Sequence, residues 1–269
     1  KKKMKEKIIS IINQKGGVGK TTTVINLAAG LTMVGKKVLV IDLDPQGNAT
    51  TGLGLSNLEN SSKSIYSVLN GTKKISEVIE KTKFNNLDLI TSNVDLSGLE
   101  VETAADSRRA FILKEQIMAY LKDSNGVYSH VLIDCPPSLS LLTIMALVTS
   151  DSLLVPLQTE FFALEGVTQL MKTIERIKNN LNRDLSIRGI LLTMYDKRNK
   201  LSGQVEREAR NYFKEKVYQT VVPRNVRLSE APSHGMPVLF YDKSCPGSKS
   251  YFNFTNEFIN QEKIMESAA

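Results

Sequence analysis

The chain has 269 residues, of which 41% are hydrophobic, and it carries a net charge of +7. Its two cysteines form neither a disulfide framework nor a metal-ligand spacing, which excludes a disulfide-stapled secreted domain. No apolar run reaches the roughly 18 residues that a membrane-spanning helix needs, and no secretory signal precedes the first predicted strand. We expect one cytoplasmic domain over residues 1–269, with a flexible basic tail at 1–6 and a flexible end at 261–269.

Strands and helices alternate along the chain. Runs rich in Val, Ile and Leu predict strands at 8–12, 37–42, 87–90, 130–134, 152–157, 188–194 and 219–222. Helical patterns predict helices at 23–33, 104–121, 139–148, 163–181, 203–214 and 248–260. Strands of this composition are buried on both faces. The sequence therefore predicts an α/β fold whose mostly parallel, twisted sheet carries helices on both faces.

A glycine-rich loop lies between the first predicted strand and the first predicted helix, where residues 13–22 have the sequence NQKGGVGKTT. Its glycines let backbone N–H groups approach phosphate oxygens at a helix N-terminus. Lys20 supplies charge for the β- and γ-phosphates, and the Thr21 hydroxyl can join a Mg²⁺ shell. Gln14 replaces the first glycine of the G-x-x-x-x-G-K-[ST] pattern, and Lys15 adds a second lysine that we assign to phosphate charge. The predicted nucleotide-binding residues are Lys15, Gly16, Gly17, Val18, Gly19, Lys20, Thr21 and Thr22.

Carboxylates end two of the predicted strands. Asp134 follows an apolar run, and we predict that it holds a water on Mg²⁺, the role of a Walker B aspartate. Asp44 precedes a Pro-Gln-Gly turn and is predicted to orient water for in-line attack on the γ-phosphate. Asp42 is predicted to brace Lys20 or a Mg²⁺-bound water. An ordinary Asp-Pro turn is the alternative. The predicted catalytic residues are Lys15, Lys20 and Asp44.

Positive charge is concentrated in the second half of the chain. Its members are Lys197, Arg198, Lys200, Arg207, Arg210, Lys214, Lys216, Arg224 and Arg227. Such a cluster fits a polyanionic partner, but a solvated helix face balanced by Glu206, Glu208 and Glu215 fits equally well.

The sequence TMYD at 193–196 stands where a GTPase has its [NT]-K-x-D guanine motif, which argues against a GTPase.

Taken together, these segments resemble one family. The sequence KGGVGKTT at 15–22 resembles the deviant Walker A box of the ParA/MinD group of P-loop ATPases. The segments DPQGNAT at 44–50, DCPPSL at 134–139 and FALEG at 162–166 are similar to its further boxes. The run VPRNVRLSEAPSHG at 222–235 is typical of the chromosomal ParA branch, also called Soj. The resemblance extends from residue 8 to about residue 258.

This resemblance implies an ATP- and Mg²⁺-dependent homodimer. In the family two subunits enclose two nucleotides, and the signature lysine of each, which matches Lys15, reaches the phosphates of the other. It further implies non-specific binding of the dimer to double-stranded DNA and localisation to the nucleoid. A ParB-like partner then stimulates hydrolysis and releases the DNA.

The resemblance also implies roles for individual residues. Arg198 and Arg227 match DNA-contacting positions, with Lys197, Lys200 and Arg224 beside them, although Arg224 can partly face the nucleotide. Pro223 and Asn225 match positions against the adenine. The alternative for that pair is a loop that only shapes the edge of the sheet.

Other functions remain to be separated from this one. A membrane-bound ATPase of the MinD branch needs a basic amphipathic C-terminal helix, whereas residues 257–266 carry more acid than base, so we expect no stable membrane association. An iron–sulfur reductase needs a cysteine pair at the subunit interface, which Cys135 and Cys245 do not suggest. A non-catalytic nucleotide-binding module is opposed by the intact set of phosphate-site residues. A related ATPase that positions another cargo in the cell remains an alternative.

Overall fold

The structure is a computed structural model that describes residues 7–55, 62–124 and 126–267. Its strands are β1 (Lys7–Ile11), β2 (Val38–Asp42), β3 (Ile79–Lys81), β4 (Leu87–Ile90), β5 (His130–Asp134), β6 (Ser152–Gln158), β7 (Ser186–Tyr195) and β8 (Val217–Pro223). They form an eight-stranded sheet in the order β3-β4-β2-β5-β1-β6-β7-β8. Only the pairing of β3 with β4, at one edge, is antiparallel. The predicted mostly parallel α/β sheet is confirmed.

Helices cover both faces of this sheet. They are α1 (Lys20–Met33), α2 (Asn48–Gly52), α3 (Ile65–Leu69), α4 (Ile75–Val78), α5 (Leu99–Glu102), α6 (Ile112–Asp123), α7 (Leu141–Thr149), α8 (Ala163–Asn180), α9 (Lys200–Phe213), α10 (Val226–Glu230), α11 (Val238–Tyr241) and α12 (Pro246–Ser267). Successive strand residues point to opposite faces. Accordingly, Ile9 and Ile11 belong to the core under α1 and α12, whereas Ile8 belongs to the core under α6 and α7.

The strand order brings the glycine-rich loop and the predicted carboxylates to one edge of the sheet. Ile11 and Asp42, the last residues of β1 and β2, both pair in register with Asp134 at the end of β5. The loop leaves β1 directly after Ile11 and leads into α1. In a parallel sheet, the carboxyl ends of neighbouring strands are where ligands bind.

The helix predicted at 104–121 is shorter than the sequence indicated. It begins at Ile112, after turns and a 3₁₀ segment at Arg109–Phe111. The Asp106 carboxylate accepts a hydrogen bond from the Arg108 backbone N–H at 2.7 Å, and such local bonds compete with helix formation. The sequence also did not predict β3, α2 to α5, α10 or α11, which are too short for hydrophobic periodicity to reveal.

The C-terminal helix is longer than predicted. We expected its end at residue 260 and a flexible end at 261–269, but α12 continues to Ser267. Residues 268 and 269, like the tail predicted at 1–6, lie outside the described part of the chain. The buried Glu262 carboxylate contacts Lys7 at 3.2 Å, His130 at 3.1 Å and Arg188 at 3.3 Å. These contacts hold the last turns of α12 near the amino ends of β1, β5 and β7.

Because of this cluster, Glu262→Ala should lower the free energy of unfolding by about 3 kcal/mol, since it leaves the buried Arg188 guanidinium without its carboxylate. Burial alone raises the pKa of Glu262, but the hydrogen bond with His130 and the charges of His130, Arg188 and Lys7 outweigh it and lower that pKa. The stabilisation is therefore complete above the ordinary carboxyl range and is lost as the pH falls through the folded-state pKa.

Urea unfolding at a series of pH values measures this loss. Glu266→Ala is the matched control, because Glu266 is an exposed partner of Lys7 one turn further along α12. It should cost less than about 1 kcal/mol. Equal losses for the two variants would contradict the role of the buried cluster.

Candidate functional site

The glycine-rich loop bends around a cavity of about 440 Å³ at the carboxyl edge of the sheet. Gly17 and Gly19 have φ angles of 74° and 90°, a left-handed conformation that glycine adopts without steric cost. Lys20 and Thr21 open α1 and line the cavity opposite the β2–α2 turn, which contributes Asp44. Backbone N–H groups at the start of a helix suit an anionic ligand. We call this the phosphate cavity.

The two lysines of the loop lie in different places. Lys20 is 7% exposed, and its Nζ donates a hydrogen bond to the backbone oxygen of Lys15 at 2.9 Å. Burial lowers the pKa of Lys20, while the charge of Asp134 opposes this shift. The Lys15 side chain is half exposed, forms an ion pair with Glu160 and does not line the phosphate cavity. Lys20 therefore lines the phosphate cavity of its own subunit, whereas the Lys15 amine lies outside that cavity.

Asp134 lies beside the first turn of α1. It is fully buried, and its Oδ2 accepts a hydrogen bond from the Thr21 hydroxyl at 2.7 Å. Its Oδ1 has no hydrogen-bond partner among the described residues. Burial, followed by the charge of Asp42, raises the pKa of Asp134 well above its ordinary range. A buried carboxylate oxygen of this kind needs a donor or a cation, and a hydroxyl with a carboxylate is a donor set that suits Mg²⁺.

The two aspartates around β2 have different surroundings. Asp44 is 7% exposed, lines the phosphate cavity and accepts a hydrogen bond from the Gln46 backbone N–H at 3.0 Å. Asp42 is fully buried, and its Oδ2 accepts from both the backbone N–H and the hydroxyl of Thr50 at 2.7 Å. Its Oδ1 accepts from the Asp44 N–H at 3.2 Å.

The expectation that Asp42 braces Lys20 is therefore corrected. Both of its carboxylate oxygens hold the turn into α2 instead, because the strand places Asp42 under that turn. Burial raises the pKa of Asp42 to about 6, although the hydrogen bonds from Thr50 oppose the shift. Its predicted contact with a Mg²⁺-bound water stays a prediction.

A second cavity, of about 250 Å³, adjoins the first and shares Gly19, Thr22, Met194 and Pro232 with it. We call it the adjoining cavity. Pro223 and Asn225, the residues predicted to contact a base, both line it. The adjoining cavity thus extends the phosphate cavity toward the turn between β8 and α10.

A third cavity is lined by three of the nine residues of the predicted basic cluster. It measures about 680 Å³ and is lined by Lys197, Arg198 and Arg224 among others; we call it the basic groove. The Arg198 side chain is 90% exposed and pairs with Asp196 at 3.0 Å. Three cations at the rim of one groove form a surface on which a phosphate backbone can lie.

Three further residues of the basic cluster are of two kinds. Lys200 is exposed at the first turn of α9. Arg227 is exposed on α10, where it pairs with Glu230 at 2.7 Å and with Asp242 at 3.4 Å. Arg210 instead donates to the backbone oxygen of Tyr218 at 3.1 Å and joins α9 to β8. The cluster predicted from the sequence is thus partly a DNA-compatible surface and partly helix anchoring.

Comparison with known proteins adds an independent line of evidence. A family model described as an AAA domain matches residues 6–187. The chromosome partitioning protein ParA of Caulobacter vibrioides is 49% identical over 263 residues, which cover 98% of this chain and 97% of the relative. The chromosome-partitioning ATPase Soj of Treponema pallidum is 46% identical, with 95% of this chain and 98% of the relative covered. The chain belongs to the ParA/Soj family.

A solved structure shares this fold and carries a nucleotide. It is cobyrinic acid a,c-diamide synthase from Mycobacterium smegmatis with a bound ATP analogue and magnesium. Its TM-score to this chain is 0.82, with 32% identity and 96% of each chain covered. The ParA/Soj fold is thus a P-loop ATPase fold, as the sequence predicted.

The competing functions can be set against the geometry of this ParA/Soj chain. None of its described helices combines the length and apolarity needed to cross a bilayer. The end of α12 packs onto the sheet through Glu262. Cys135 and Cys245 are both buried, and no group of three or more metal-binding side chains occurs within the described residues.

Several residues around the ParA/Soj site could not be assigned from the sequence. The Thr193 hydroxyl donates to the backbone oxygen of Val18 at 2.8 Å and so ties β7 to the phosphate loop. Met194 has a φ of 52°, a strained value for a non-glycine residue. The sequence drew attention to this segment only through its lack of a guanine motif. No sequence pattern indicated a role for Glu160, because its partner Lys15 is distant in sequence.

Proposed function

We propose that this ParA/Soj-family ATPase is an ATP-switched homodimer that binds DNA without sequence preference. ATP and Mg²⁺ are its cofactors. ATP binding assembles the dimer on double-stranded DNA of the nucleoid, and hydrolysis, stimulated by a ParB-like partner, releases it. Cycles of this kind drive segregation of a chromosome or plasmid.

The residues around the phosphate cavity support the nucleotide half of the proposal. Lys20 and the loop N–H groups would bind the β- and γ-phosphates, and Thr21 and Asp134 would hold Mg²⁺, Asp134 through a water. The orphaned Oδ1 of Asp134 fits that water. When bound, Mg²⁺ neutralises the charge that develops on the phosphates. Asp44 would orient the attacking water, and the adenine would lie in the adjoining cavity against Pro223 and Asn225.

The position of Lys15 supports the proposal of a dimer. Its amine lies outside its own phosphate cavity, so it is free of the local role that Lys20 fills. A lysine delivered to the phosphates of the partner subunit would make dimerisation depend on ATP, much as an arginine finger couples catalysis to a partner.

The single observation that carries the DNA half is the basic groove next to the nucleotide site. Lys197, Arg198 and Arg224 line it, and the turn that contributes Arg224 also lines the adjoining cavity. Contacts from these cations, Lys200 and Arg227 to DNA phosphates give affinity that falls steeply with salt and does not depend on sequence.

Co-sedimentation with DNA tests the proposal. The protein is mixed with duplexes of unrelated sequence in the presence of ATP with Mg²⁺, ADP with Mg²⁺, or no nucleotide. We expect binding with ATP only, and to the same extent for all sequences. Binding that ignores nucleotide, or that selects one sequence, would contradict it.

Arg227→Ala should weaken DNA binding while ATP binding, dimerisation and basal hydrolysis persist. Each dimer loses two phosphate contacts, so the slope of log affinity against log salt concentration should flatten by up to ~2. The ion pairs with Glu230 and Asp242 keep the effect below that limit, because they already share the guanidinium. Fluorescence anisotropy over a salt series measures the slope.

Arg108→Ala is the matched control for this variant. Arg108 is also an exposed arginine in an ion pair, with Glu115, but it precedes α6, whereas Arg227 directly follows Asn225 and Val226 of the basic groove. Its slope should equal that of the parent. A large loss of ATP affinity in Arg227→Ala, with an unchanged salt slope, would make Arg227 a nucleotide-site residue.

A further inference from the structure

The ends of β7 and β8 separate the adjoining cavity from the basic groove. Met194 lines the adjoining cavity and its neighbour Tyr195 lines the groove. Likewise, Val222 lines the adjoining cavity and its neighbour Val221 lines the groove. Because successive strand residues point to opposite faces, the two cavities lie on opposite sides of this edge of the sheet. A ligand in the adjoining cavity and a ligand in the basic groove therefore contact the same two strand ends.

These strand ends are joined to each other and to the phosphate loop. Tyr195 pairs in register with Pro223, and its backbone oxygen accepts a hydrogen bond from the Arg224 N–H at 3.0 Å. On the other side, Thr193 donates to Val18 in the loop. Strained Met194 lies between these two attachments. These contacts form a continuous path from the phosphate loop to the residues of the groove.

Asn225 is one of the residues that contact both cavities. Three residues, Pro223, Arg224 and Asn225, line both cavities. Of these, Asn225 also caps α10, since its side-chain oxygen accepts a hydrogen bond from the Arg227 backbone N–H at 3.1 Å. The cap fixes the first turn of the short helix that carries Arg227. The position of Asn225 thus sets the position of an arginine of the proposed DNA surface.

We propose that Asn225 is a positioning residue that couples a base in the adjoining cavity to the orientation of Arg227. This inference rests on the proposed function, since it takes the base to be the adenine of ATP and the ligand of Arg227 to be DNA. A base packed against the turn holds Asn225 in its capping position, which holds Arg227 toward DNA. Coupling between two ligands is reciprocal, so bound DNA strengthens nucleotide binding by the same factor.

Two substitutions separate the cap from the rest of the side chain. Asn225→Ala removes the cap acceptor, whereas Asn225→Ser keeps a neutral hydroxyl acceptor that serves equally well at an N-cap. DNA affinity is measured on dimers saturated with a non-hydrolysable ATP analogue and Mg²⁺, with the dimer fraction verified by light scattering. The affinity for the analogue is then measured with and without DNA.

We expect Asn225→Ala dimers, at saturating analogue, to bind DNA about five-fold more weakly than parental dimers. Its gain in analogue affinity on adding DNA should shrink by the same factor, an effect that a purely structural cap would not produce. Asn225→Ser should stay within about two-fold of the parent in both measurements.

The inference would be overturned if Asn225→Ala bound DNA with the parental affinity, or if Asn225→Ser lost as much DNA affinity as Asn225→Ala. It would also be overturned if the loss of DNA affinity followed a lower dimer fraction. These results leave the proposed function intact. A parental dimer that fails to bind DNA with the analogue would instead contradict the proposed function, and this inference with it.

Discussion

Asp44→Ala should lower the rate of ATP hydrolysis by about 100-fold or more while leaving ATP affinity and ATP-dependent dimerisation close to the parental values. Loss of a group that positions or deprotonates the nucleophile typically has an effect of that size. The structure supports this division of roles, because Asp44 lines the phosphate cavity while the buried amine of Lys20 and the loop N–H groups are left to bind phosphate.

Phosphate release at saturating ATP measures the turnover, and equilibrium binding of labelled ATP measures the affinity. Asp123→Ala is the control, because Asp123 is exposed at the end of α6 and does not line the phosphate cavity. It should behave as the parent. Hydrolysis by Asp44→Ala at the parental rate would show that Asp44 only shapes the turn at Gln46, the alternative that the Asp-Pro sequence allows.

Lys15→Gln should bind ATP as a monomer and fail to dimerise. Removing one side of a charge contact across a subunit interface costs about 2 kcal/mol or more, and the symmetric dimer loses two such contacts, so the dimer dissociation constant should rise on the order of 1,000-fold. The effect on the monomer is expected to be small, because the Lys15 amine pairs with Glu160 at the surface and does not line its own phosphate cavity.

Light scattering with ATP and Mg²⁺ over a range of protein concentrations measures the dimer. Lys122→Gln, which removes an exposed lysine from the last turn of α6, is the control for net charge and should dimerise normally. If Lys15→Gln forms dimers at the parental concentration, the lysine acts within its own subunit. Loss of ATP affinity in the monomeric variant would lead to the same conclusion.

How much of the fold the sequence predicts depends on whether the side chains of an element record its burial. The strands β4 and β5 and the start of α8 match the predicted bounds, because their apolar or periodic runs record burial directly. Errors occur where local bonds interrupt a helical pattern, as at Asp106 before α6, and where long-range contacts extend one, as at Glu262 in α12.

The sequence by itself determined the parallel sheet, the phosphate loop and the family. These features are local: a run of glycines after an apolar strand has the same meaning wherever the rest of the chain lies. The roles of Lys20 and Thr21 were predicted at this level, and the tertiary structure adds the hydroxyl-to-carboxylate contact between Thr21 and Asp134.

Only the tertiary structure decided which side chains meet across the fold. It assigned Asp42 to the α2 turn, Lys15 to Glu160, and Glu262 to His130 and Arg188. It also placed the adjoining cavity and the basic groove on two sides of one strand edge. Contacts of this kind join residues that are up to 259 positions apart, as in the ion pair of Lys7 with Glu266. They depend on strand order and packing, which hydrophobic periodicity along the chain does not encode.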